Sequence, residues 1–101
     1  MKIKGDALLP GEELVEEGLA DLARGELSDA ALLVLIAGPR LRRLGIPVPE
    51  RRSDPPFEHQ LYERLEERMG PAAHSYYNGL IRRMTSYARI LEREVSDYLT
   101  S

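Results

Sequence analysis

The sequence predicts an all-α protein: a four-helix bundle-like single domain over residues 1–101, with a long C-terminal helix. Three observations predict it. Apolar residues recur at helical spacing in stretches separated by glycine and proline. Ala30 to Ala37 are apolar without interruption, as in a helix buried on every side. Ala73, Tyr77, Leu80, Met84, Tyr87 and Leu91 alternate spacings of four and three, the seam by which bundle helices pack. A chain of 101 residues fits one domain with one core. Its balance of 43% hydrophobic and 31% charged residues is that of a folded chain rather than a disordered one.

The first helix is predicted from Pro10 or Gly11 to Arg24. Proline suits an early helical position, where its missing N–H has no partner to lose. Glu12, Glu13, Glu16 and Glu17 place negative charge at the positive end of the helix dipole. Leu14, Val15, Leu19 and Leu22 form its apolar stripe, and Gly25 stops it. Ser28 is a good N-cap for the second helix, with Asp29 in its first turn. A short apolar run also fits a buried strand, but the alanines and the lack of a partner strand argue for helix. The run is expected either at the centre of the bundle or with one face covered by another subunit. Pro39 cannot donate to the Leu35 carbonyl and its ring clashes there. A kink, or a stop and short restart through Leu41 and Leu44, is therefore expected, closed by Gly45.

Residues 46–56 hold four prolines and are expected to form a stiff, extended loop. The third helix is predicted from Pro56 or Phe57 to Gly70, with Phe57, Leu61, Leu65 and Met69 as its apolar stripe and Tyr62 beside them. The fourth is predicted from Pro71, as an N1 proline, to about Leu99. At ~1.5 Å per residue it would reach about 40 Å, more than a compact domain of this mass requires. Its excess length, with the excess apolar surface of the second helix, predicts a homodimer.

Charge narrows the function. The net charge is -3 and the pI about 5.4, without the strongly basic balance of most nucleic-acid binders. Residues 39–52 stand apart: Arg40, Arg42, Arg43, Arg51 and Arg52 face only Glu50. Such a run is either a solvated face paired with neighbouring acids or a binding surface for phosphate or an acidic partner. No run approaches the ~20 apolar residues of a membrane span, and no signal-type stretch follows Met1, so no membrane contact and a cytoplasmic location are expected.

Cysteine is absent, which excludes disulfides, thiolate metal sites and a thiol nucleophile. No glycine-rich phosphate loop, G-x-S-x-G or H-E-x-x-H is present. His59 and His74 follow Pro56 and Pro71 by three residues, so neither completes the Glu-x-x-His pair of a bundle metal site. No metal and no cofactor are expected. Tyrosine outnumbers phenylalanine five to one, and four of the five tyrosines lie on the fourth helix. Their simplest place is a core edge or an interface, with the ring buried and the hydroxyl paired.

One constellation carries possible chemistry. Arg68, His74 and Tyr76 flank the joint Met69-Gly70-Pro71-Ala72-Ala73. Arginine neutralises phosphate oxygens with its planar fork, and histidine moves protons near neutral pH. This arrangement resembles the HEPN family of small helical domains, whose motif is an arginine, four to six residues, a histidine and often an aromatic two residues later. Residues 44–50 also look like the linker before the third helix in some members. The resemblance implies a dimeric, metal-independent ribonuclease or toxin of a toxin–antitoxin pair, with Arg68 on phosphate, His74 as acid/base and Tyr76 beside them. Met69 stands where that family usually has a polar residue. The first reading remains a small non-catalytic interaction module acting as a homodimer, with a possible protein partner. The alternatives are the HEPN-like ribonuclease and a nucleic-acid-binding accessory subunit using Arg40, Arg42, Arg43, Arg51 and Arg52; RNA is a partner only under these.

Overall fold

Ser28 starts the helix around which the others pack. Its hydroxyl accepts a hydrogen bond from the Ala31 amide at 3.1 Å and donates to the carboxylate of Asp21, which also receives the Arg24 guanidinium. Asp21 is only 5% exposed, and these partners are what make a buried carboxylate tolerable. The computed structural model describes the backbone of residues 11–100 and the side chains of residues 11–96. In order, the elements are α1 (Glu12–Ala23), α2 (Asp29–Ile36), α3 (Gly38–Arg43), α4 (Phe57–Met69), a 3-10 turn (Gly70–Ala72) and α5 (Ala73–Thr100). The all-α bundle with a long final helix is thus present, and no strand occurs among the described residues. Pro10, the expected first helical residue, lies outside them.

Every residue of α2 from Ala30 to Leu35 is buried, none more than 6% exposed. The surplus apolar surface expected of this helix is therefore absorbed within one chain. Val15 and Leu22 of α1, Leu61 and Leu65 of α4, and Leu80 and Met84 of α5 complete the core with it. Each leucine so buried contributes about 1.5–3 kcal/mol. Helix α1 approaches α2 closely at Gly18, where a Cβ would stand 2.5 Å from both the Ala30 carbonyl oxygen and Val34 Cγ2. The α1 stripe is accordingly centred on Val15, Gly18 and Leu22, with Leu14 and Leu19 half-buried at its edges.

The break at Pro39 is a stop and restart: α2 ends at Ile36, Ala37 leaves helical geometry, and α3 follows with Leu41 fully buried. The loop after α3 is pinned at both ends. Arg42 Nη1 donates to the carbonyls of Val48 and Pro49 at 3.2 Å, and Gln60 Nε2 donates to Ser53 Oγ at 2.6 Å and the Pro55 carbonyl at 2.9 Å. One boundary differs from expectation. Pro71 is not the first residue of an α-helix. Gly70 leaves α4 at φ 56, ψ -127, the chain winds one 3-10 turn through Pro71, and α5 begins at Ala73. A 3-10 turn brings the chain round in three residues and delivers Ala73 into the core at 0% exposure.

Two ion pairs fasten the outer parts. Asp29, in the first turn of α2, takes Arg64 Nε at 3.1 Å and Arg68 Nη1 at 3.2 Å, both from α4. Arg40 of α3 grips Glu92 of α5 through Nε at 2.6 Å and Nη2 at 2.8 Å. Burial pushes the Asp29 carboxyl up, but Arg68 and Arg64 outweigh it and hold it below the usual carboxylate range. Hydrogen bonding from Arg40 does the same for Glu92.

Gly18→Ala is expected to destabilise the fold by about 1–3 kcal/mol, because a backbone carbonyl blocks the new methyl and the two helices must separate. Gly79→Ala, in open space on α5, is expected to stabilise by about 0.4–1 kcal/mol. Urea midpoints of the two variants against wild type provide the check, and equal effects would contradict the close approach.

The Asp29 pairs predict a pH dependence of definite sign. A depressed carboxyl contributes stability above the range where the free side chain titrates, near pH 4, and loses it as pH falls through the lower folded value. Asp29→Asn should therefore cost about 1 kcal/mol or less near neutral pH, as expected for pairs at the surface. The difference from wild type should shrink as pH falls below about 4, measured by chemical denaturation at neutral and acid pH.

Candidate functional site

Helix α5 is a single rod of 28 residues, about 42 Å long at ~1.5 Å per residue. It accounts for the long axis of a molecule measuring 47 × 26 × 22 Å. Helix α4, antiparallel to it, has 13 residues and runs beside only its first half. The side of α5 carrying Ile81, Met84 and Ala88 borders an open groove of about 290 Å³. Leu33, Ile36 and Ala37 at the end of α2 form the opposite wall, and Arg40 and Arg43 stand at the rim. One heptad past Ala88 on the same stripe, Val95 is 41% exposed.

The five arginines of residues 39–52 do not act alike. Arg40 is committed to Glu92. Arg42 is spent on loop carbonyls, with Glu50 3.9 Å away. Arg43 lies close enough to Glu92 to help lower its pKa. Arg51 and Arg52 are exposed and border, with Arg42, Glu50 and Pro39, a polar hollow of about 530 Å³. The arginine run is thus part structural brace and part solvated cationic surface.

The residues of the Arg68, His74, Tyr76 motif are divided between two sides of the α4–α5 joint. The planar fork of Arg68 is filled by Asp29, and that hydrogen bond raises the Arg68 pKa further, with a smaller contribution from Tyr76. Tyr76 is 46% exposed and borders a hollow that Asp29 also lines. His74 is exposed on the other side. Its ring meets Tyr62 edge-on at 6.5 Å between centroids, and its Nε2 lies 3.2 Å from the Asn78 amide nitrogen. No hydrogen bond or ion pair joins Arg68 to His74 among the described residues. A phosphate approaching Arg68 within this one chain would have to displace Asp29.

The groove that His74 occupies was not marked by the sequence as a site. It has a volume of about 510 Å³ and is lined by Glu58, His59, Tyr62, His74, Tyr77 and Asn78, with Pro56 at one end. Tyr62 and Tyr77 stand edge to face, 5.5 Å between centroids and 85° between planes. Tyr77 falls on the heptad seam and Tyr62 beside the α4 stripe, so both read as core edge. The available signal was the four-residue repeat Glu58, Tyr62, Glu66, which puts acids around a tyrosine on one helix face. Among the described residues, no three histidine, aspartate or glutamate side chains are grouped to hold a metal ion, and no helix is long and apolar enough to cross a membrane.

Comparison with protein-family models, with curated proteins and with solved structures finds no match to this chain, so its own surfaces carry the functional reading.

Proposed function

We propose that the chain is a non-catalytic helical interaction module that works as a homodimer through the second half of α5. The carrying observation is the mismatch in helix length. Helix α5 has 28 residues against the 13 of α4; Ile81 and Ala88 line the apolar groove, and Val95, one heptad further on, is exposed. A second α5 lying antiparallel fills the place that α4 leaves. A two-fold axis then makes each contact of the antiparallel pair twice. Interface cores of this kind resemble a domain core cut in half. The burial of α2 within one chain means that α5, not α2, supports this reading.

Val95→Glu tests it without touching the monomer core, since Val95 is exposed. Wild type should sediment as a dimer at micromolar concentration. The variant should keep its helical circular dichroism and associate at least about tenfold more weakly, because an unpaired charge would be buried at the seam. A monomeric wild type, or a variant that dimerises equally well, overturns the proposal.

A further inference from the structure

The groove between α4 and the start of α5 combines features that suit one class of ligand. The Tyr62 ring is perpendicular to Tyr77 at 85° and to His74 at 81°, so it meets each of them at a corner rather than in a stack. Aromatic faces carry negative potential and attract cations, most strongly where water is partly excluded. No hydrogen bond is formed by the Tyr62 or Tyr77 hydroxyl within the described residues. Burial pushes the Tyr77 phenol up and the nearby Glu58 carboxylate adds to this, which keeps the ring neutral and places a carboxylate within electrostatic reach of it.

The surrounding charges are acidic. Glu58 lines the groove, and Glu66 follows Tyr62 by one turn of α4. Glu63 accompanies His59, 3.2 Å between Oε2 and Nε2. The arginines of α4 are turned away: Arg64 and Arg68 are held by Asp29 on the α2 side. Arg82 stands one turn beyond Asn78, past the lining of the groove.

We propose that this groove binds a methylated ammonium group between the rings of Tyr62, Tyr77 and His74, with Glu58 as its counter-ion. Ring faces match N-methyl groups, which ask for no hydrogen bonds. At about 510 Å³ the groove also has room for the chain that carries the head group. The site lies on α4 and the first turns of α5, apart from the proposed self-association surface, so either proposal stands or falls without the other.

Choline is the probe, and its uncharged isostere 3,3-dimethyl-1-butanol is the control for shape. Titration at constant ionic strength should give saturable shifts of the Tyr62, Tyr77 and His74 ring signals in NMR. The isostere should bind about tenfold more weakly or worse, since it lacks the cation–ring attraction. Glu58→Gln, an exposed change that leaves the core intact, should weaken choline several-fold, and Tyr62→Leu should abolish the shifts at Tyr77 and His74. Absence of saturation, equal binding of the isostere, or an unchanged affinity in Glu58→Gln overturns the proposal.

Discussion

Enclosing α2 is the constraint from which the rest of the structure follows. A helix that is apolar on every side has no face to offer water, and in a chain of 101 residues only a few elements can surround it. Helix α1 gets near enough because Gly18 has no side chain at the crossing. Helix α4 presents Leu61 and Leu65, and α5 presents Leu80 and Met84. The ion pairs then act from outside the apolar contact. Asp29 fastens the start of α2 to α4, and Arg40 fastens α3 to α5. Pairs so exposed add little stability individually; their effect is to set where neighbouring helices lie once burial has brought them together.

Helix boundaries were legible in the sequence because glycine, proline and capping residues act locally. Gly25, Gly45 and Gly70 take positive φ at or just after helix ends, and Ser28 caps α2 as its hydroxyl and position imply. The stripe of α4 was legible for a related reason, since Leu61 and Leu65 meet α2 through simple helical spacing. The 3-10 turn at Gly70–Ala72 was not, because a proline after a glycine starts either kind of helix equally well. Gly18 was not legible as a contact either. Its role depends on Ala30, twelve residues later, and not on its neighbours.

The candidate sites divide along the same line. An arginine cluster is visible as a run of charge, but its partners are not. Glu92 lies 52 residues from Arg40, and Asp29 lies 39 residues from Arg68. Those pairings decide which cations are structural and which are left for solvent. The proximity of Arg68 and His74 along the chain likewise conceals that the turn between them sends their side chains to different sides. The aromatic groove was hidden because its rings come from two helices, each ring looking like an ordinary core edge by itself.

One feature of α5 joins the two surfaces. The helix that carries His74 and Tyr77 in the aromatic groove is the same unbroken helix that carries Ala88 and Val95. It is therefore a lever, with the 3-10 turn at Gly70 as its near end. A tilt of about 5° at that end displaces the far end of a ~42 Å rod by about 4 Å, close to the diameter of a methyl group. The two ends of the helix thus share one backbone, with α3 tied to it through Arg40 and Glu92.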